Sequence, residues 1–354
     1  MKLKLKNTPE QVELIKAMGS RDTTVAKEAS EAFAAFIGPV VSKVLLEAGT
    51  SSAVYSDLSF DEDDNPSIPL DLWSQETEGY TTVWSQNVAG GLPTSVVEGF
   101  SEMKVSTYRL DSAVSLLKRY ARRARLDVVS KAVERMANEV LVKQERNAWA
   151  VVLKALATAT TAGQNHIHVG DQSLVLKDIS ALLTKVKRIN TSYAKGSTTS
   201  SYGVTDLFLS PEMIGDIREF AYNPVGNSGT DLPAGVREEI YRGAGAQEIF
   251  GITLHELVEL GKNAKYNVLF DSFYGVNPSV FNPSNDEVLI GLDLSKDAFV
   301  RPVARNSETG GTFTAVPDDQ FVSRSEKIGF YGSLEEGRVC LDGRAVAGII
   351  IKNS

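Results

Sequence analysis

KRYARRARLDVVSKAVERMANEVLVKQERNAWAVVLKALA, residues 118–157, lies inside a longer stretch, 100–162, that contains neither glycine nor proline. Val129, Val133, Met136 and Val140, then Ala148, Val151 and Ala155, recur at the three- and four-residue steps of one helical face. The spacing predicts a helix from about Asp127, an N-cap or kink point, to Ala157, about 45 Å long at about 1.5 Å per residue. A helix of that length needs an extended surface, such as a sheet, to lie along. Charge changes sign at its approach. Residues 51–100 hold nine carboxylates and no Lys or Arg, whereas 101–131 hold eight basic residues and three acidic ones. The acidic stretch carries the Pro, Gly, Thr and Ser punctuation of a protruding hairpin, and the basic stretch opens the long helix. A projecting acidic arm needs a basic dock, and the pattern implies that copies of this chain grip one another.

Outward from this centre, residues 8–47 carry helical spacing through Val25, Ala29, Phe33 and Phe36, with Gly38-Pro39 expected to interrupt it. Short β-rich runs follow at 53–58, 81–86 and 103–110, and the turn cluster Asp61-Glu62-Asp63-Asp64-Asn65-Pro66 lies between the first two. This reads as a two-stranded excursion whose acidic tip stands in water. Past a loop at 158–170, the pattern predicts a helix at 176–189 and a strand at 206–209. A second helix follows at 211–220, with Ser210 as N-cap and Pro211 in the first turn. A Gly-rich loop at 223–235 and strands at 267–271 and 287–292 come next. The end, 321–352, alternates, turns at Gly337 and closes in an apolar run, 345–351, read as a buried strand that returns beneath the long helix. The order gives an α+β fold with a discontinuous domain. No internal repeat of 20 to 50 residues is visible.

The 354 residues are 42% apolar, enough for a sizeable core, and the formal charge of -8 argues against a general nucleic-acid binder. A single Cys340 can form no intrachain disulfide, and one Cys with three His at these spacings builds no metal cluster; a reducing cytoplasm fits. The longest apolar run, 33–41, falls far short of the roughly 20 residues of a membrane span. The polar residues 7–10 deny the N-terminus a secretory core.

Motifs for chemistry are incomplete. Asp61, Asp63 and Asn65 open like a calcium loop, but Pro66 replaces its glycine and Leu72 stands at position twelve. His255-Glu256 has Glu259 where a metalloprotease needs a second His. His166 and His168 lack a ligand constellation. Gly243-Ala-Gly245 lacks the third glycine of a dinucleotide turn, and Gly261-Lys262 lacks the earlier P-loop glycine. No Gly-x-Ser-x-Gly elbow occurs, and Cys340 sits in a strand pattern as a small hydrophobe. No residue supports an enzyme. What does carry a reading is the charge pair: Asp61, Glu62, Asp63 and Asp64 with the aromatic anchors Trp73, Tyr80 and Trp84 on the acidic side, and Lys118, Arg119, Arg122, Arg123 and Arg125 on the basic side, all candidates for inter-subunit docking.

The order of arm, acidic β-excursion, long helix, α/β insert and returning strand resembles tailed-bacteriophage major capsid proteins of the Hong Kong 97-type fold. Residues 207–220, LFLSPEMIGDIREF, are similar to the strand-then-helix segment of that family's axial domain, and 326–350, EKIGFYGSLEEGRVCLDGRAVAGII, to its closing peripheral segment. The resemblance implies an N-terminal arm at 1–50, an extended loop at 51–110, a peripheral domain with its spine helix at 111–174 and 321–354, and an axial domain at 175–320. It implies hexamers and pentamers closing into an icosahedral head around DNA, assembled in the host cytoplasm, with no cofactor. A portal is a further partner, a decoration protein is compatible, and packaged DNA is contacted without specificity. The extended loop has no Lys, so the covalent cross-link of some relatives is not available to it. Only about fifty residues precede that loop, which implies a separate scaffolding protein, and on this reading no leader is removed before Met1. An encapsulin-like nanocompartment shell is the first alternative and a soluble α/β enzyme the second.

Overall fold

The computed structural model describes residues 8–47, 49–61, 64–69, 102–161, 164–194, 203–219, 248–275, 277–295, 297–305, 311–318 and 326–353. Contacts divide the chain into two compact units: Met1–Ser67, Lys104–Asn147 and Arg301–Arg338 form one, and Ile68–Met103, Ala148–Val300 and Val339–Ser354 the other.

The first unit packs helices against an antiparallel sheet. Its elements are α1 (Pro9–Met18), α2 (Thr23–Glu47), β1 (Ser56–Asp61), β4 (Thr107–Leu117), α3 (Lys118–Arg122), β13 (Phe313–Asp318) and β14 (Lys327–Gly337). The first part of α4 (Leu126–Thr158) and most of β12 (Phe299–Arg305) belong here too. Strand β14 lies between β4 and β13, in register Phe330 with Val114 and Pro317, and the order continues through β12 to β1. Phe33, Ile37, Val41 and Leu45 on α2 and Val129, Val133, Met136 and Val140 on α4 share one core with Phe313, Phe330 and Leu334 of the sheet. The rings of Phe33 and Phe330 lie 5.3 Å apart. Helix α2 runs through Pro39 without the expected interruption. A mid-helix proline costs about 3 kcal/mol, and the four-residue stripe that buries both halves of α2 in one core outweighs it.

In the second unit, β7 (Ile167–Asp171), β16 (Val346–Lys352), β11 (Glu287–Leu292), β8 (Asp206–Leu209), β10 (Ile252–Glu256) and β9 (Glu248–Ile249) form one mixed sheet in that order. One face buries Leu207, Leu209, Leu289 and Ile349 against α5 (Leu176–Ala194) and α6 (Pro211–Glu219). On the other face, Phe208 meets Trp149 of α4 edge-on at 4.8 Å. Gly348 sits so close to Leu156 that a Cβ there would come within 2.9 Å of its methyl carbon and 2.8 Å of the Leu289 carbonyl oxygen. The strand at 206–209 and the Ser210 cap stand as predicted: Ser210 Oγ accepts from Met213 N at 3.2 Å.

Three expectations differ. Residues 267–271 are helical within α7 (Lys265–Tyr274), because Tyr266, Phe270 and Tyr274 recur every four residues along one face, with Tyr266 and Phe270 buried and Tyr274 half-buried. The region 158–170 is not a plain loop but holds β5 (Thr160–Thr161), β6 (Gln164–Asn165) and the start of β7. Strand β16 does return beneath α4, yet it groups with 148–300, whereas β14 groups with the start of α4. Every side chain from Val346 to Ile351 is buried, and a strand apolar on both faces requires a sheet covered on both.

Candidate subunit-docking surface

The basic run begins where β4 gives way to α3. It does not run straight into the long helix: α3 ends at Arg122, Ala124 adopts φ 48°, and α4 starts at Leu126. The kink turns Arg119, Arg123 and Arg125 to solvent. Arg119 stacks over the Tyr120 ring at 5.0 Å, and Arg125 lies 4.0 Å from Asp127. Arg122 serves its own fold, since its Nε donates to the Gly19 carbonyl at 2.8 Å and its guanidinium reaches Glu326 at 4.0 Å. Gly19 is required at that crossing, for a Cβ would stand 2.7 Å from Arg122 N. Lys118 is half-buried and lines a pocket beside α2.

On the acidic side, Asp61 closes β1 and Asp64 N donates to Asp61 O in a turn, with both side chains exposed. The turn therefore follows an edge strand of the sheet. Beyond it, β2 (Ser67–Pro69) pairs with β3 (Glu102–Lys104). Glu62, Asp63, Trp73, Tyr80 and Trp84, and the β-run at 81–86, lie outside the described residues.

Two anchors were not legible in the sequence. Asp57 forms a two-point ion pair with Arg301, at 2.6 and 2.7 Å, that fastens β1 to β12. Glu145 of α4 accepts from Thr50 Oγ1 at 2.7 Å, Ser51 Oγ at 2.7 Å and Ser51 N at 3.2 Å, holding the segment that leads into the excursion. Each depends on residues more than ninety positions apart, which no local pattern encodes. Alongside them, Glu336 is fully buried; it accepts from Tyr108 OH at 2.7 Å and Gln144 Nε2 at 2.9 Å and pairs with Arg338 at 3.3 Å. Burial first, and the neighbouring Glu336 carboxylate second, push the Tyr108 phenol up to about 12.

The histidines serve the fold. His166 is buried with Nδ1 2.8 Å from the Val346 carbonyl oxygen, and burial lowers its pKa. His168 meets Asp178 at 3.2 Å and His255 meets Asp206 at 2.7 Å. Burial pushes the Cys340 thiol up to about 12. Among the described residues no group of three or more His, Cys, Asp or Glu could hold a metal ion, and no helix is long and apolar enough to cross a membrane.

No family model and no curated protein matches the chain. Solved structures do. The capsid of cyanophage P-SCSP1u aligns over 85% of this chain and 87% of its own, at TM-score 0.53 and 12% identity. The capsid of cyanophage Pam1 aligns over 85% and 88%, at TM-score 0.50 and 10% identity. The SrpI encapsulin of Synechococcus elongatus aligns over 72% and 76%, at TM-score 0.42 and 13% identity, a likeness too loose to weigh. The chain has the α+β fold of tailed-phage capsid proteins.

Proposed function

We propose that this chain is a major capsid protein whose copies assemble as hexamers and pentamers into the icosahedral head shell of a tailed phage, around its DNA. The observation that carries the reading is the fold shared with phage capsid subunits over about 85% of the chain. Its work is assembly and not turnover. The site of action is the virion, with assembly in the host cytoplasm. The further partners are a portal, a separate scaffolding protein and, where the outer surface takes one, a decoration protein. DNA is held loosely, in keeping with the charge of -8.

In this reading the acidic excursion of one copy lies over the basic turn of its neighbour. An exposed ion pair is worth about 0–1 kcal/mol and weakens with salt, so Arg119, Arg123 and Arg125 set register while the aromatic residues supply most of the contact energy. Many weak contacts suffice because each subunit is held by several neighbours at once. Reversing Arg119, Arg123 and Arg125 to Glu is expected to abolish closed shells in electron micrographs, and reversing Asp61, Glu62, Asp63 and Asp64 to Lys to restore them. Full assembly of the unrescued variant contradicts the docking. Arg122 is left intact because its reversal also unseats α1 from α3.

A further inference from the structure

Helix α2 carries a second apolar stripe, on the face turned away from its own core. Val25, Ala32, Ala35, Phe36, Pro39 and Val40 recur at three-, four- and seven-residue steps, opposite the buried side of Phe33, Ile37 and Val41, and all six are exposed. Phe36 is 49% exposed, Val25 42% and Val40 40%. The outer face of a helix that meets only water reads polar, so an apolar stripe about four turns long marks a contact surface. Small side chains at Ala32 and Ala35 beside the Phe36 ring let another helix approach to about 8–10 Å.

Two charges on the same stripe choose the partner. Glu28 stands near its start and Lys43 at its end, both exposed, and about 22 Å of helix at about 1.5 Å per residue keeps them from meeting within one molecule. Turned end for end about a point between Ala35 and Phe36, the stripe maps onto itself: Glu28 falls opposite Lys43, Ala32 opposite Pro39, and Ala35 opposite Phe36. A parallel copy would set Glu28 against Glu28 and Lys43 against Lys43. The neighbouring charges Lys27 and Glu31 lie off the stripe and face each other at 4.0 Å. One charge of each sign does not suit a nucleic-acid strand, which asks for a basic stripe. Opposite charges at both ends of an apolar middle fit an antiparallel copy of α2 itself.

We infer that α2 is a two-fold contact, its outer stripe packed antiparallel on the same stripe of a second copy, with Glu28 of each against Lys43 of the other. A closed shell of hexamers and pentamers has two-fold axes between neighbouring clusters, so the inference rests on the shell reading above and adds the surface that such an axis uses.

The test uses the full chain with one added thiol, A35C or V25C, treated with a short bismaleimide and run on denaturing gels; the unsubstituted chain, whose single thiol is Cys340, is the blank. Both positions are exposed, so neither substitution enters the core, and A35C leaves the Phe36 ring in place. The expected result is a covalent dimer from A35C and none from V25C, because the two-fold sets the two residues 35 side by side and the two residues 25 about 30 Å apart along the helices. Adding E28K should lower the A35C dimer yield about fivefold, the worth of two exposed ion pairs, and adding K43E to E28K should restore it. That rescue reads contact between copies alone, since the two residues cannot touch within one helix. Equal dimer from V25C, no dimer from A35C, or no rescue by K43E overturns the pairing. If A35C forms shells in micrographs and no dimer is trapped, the pairing fails while the shell reading stands. Dimers with charge rescue in a sample that forms no shells support the pairing and count against the shell.

Discussion

Glu336 and Arg338 are 0% and 1% exposed in their side chains, and a buried pair of this kind is costly to break from one side. Arg338→Ala leaves the Glu336 carboxylate in the core with Tyr108 and Gln144 as its remaining side-chain donors among the described residues, and is expected to lower the unfolding free energy by about 3–5 kcal/mol in urea titrations. Replacing both partners, E336L with R338M, should recover most of that loss, because no uncompensated charge remains. Cys340 gives a second residue-level prediction. Reaction needs the thiolate, and with its pKa raised to about 12 the native protein should resist iodoacetamide at pH 8 and take up one label only after unfolding. His166 gives a pH dependence. Burial lowers its folded pKa below the unfolded value, so the folded state favours the neutral ring. Its stability contribution is therefore present above about pH 6.5 and lost as the pH falls below it. The urea midpoint should drop between about pH 7 and the lower folded pKa, and His166→Gln should flatten that part of the curve. The solvent exposure of Arg119, Arg123 and Arg125 was legible residue by residue in the basic run; the surroundings of Arg122 and Lys118 were not, because both are set by distant partners, Gly19 for one and the wall of α2 for the other.

Helices and strands show where local pattern decides and where burial overrides it. The long helix, β8, α6 and β11 were readable because period and caps agree with their surroundings. Helix α2 was misread at Pro39 since a breaker signal is local, whereas the stripe from Phe33 to Leu45 is anchored in one core. Pro39→Ala should accordingly raise stability by up to about 3 kcal/mol, read as a higher urea midpoint. Strand β16 was read as buried, but its place between β7 and β11 depends on residues 180 positions upstream. Gly348→Ala is expected to cost about 1–3 kcal/mol, because the new methyl meets Leu156 and the Leu289 carbonyl oxygen at the tightest approach of α4 to the sheet. A neutral result there would mean that α4 shifts on its sheet without penalty.

At the scale of the whole chain, two compact units share the helix α4 and the strand β12, and the order of elements already carried the α+β fold. Likeness reached through shape at 10–12% identity is consistent with no family model or curated sequence matching, since a fold can be shared where few residue identities are. The proposed function was legible only through that order and through the charge reversal near residue 100. The acidic and basic segments predict assembly that weakens as ionic strength rises past the point where the screening length falls to about 3 Å, near 1 M salt. The central claim is that copies of this chain close into a shell. Electron microscopy of the purified full-length chain tests it most directly: closed particles with five- and six-subunit clusters are predicted, and a uniform population of monomers or small oligomers at every salt concentration would contradict it.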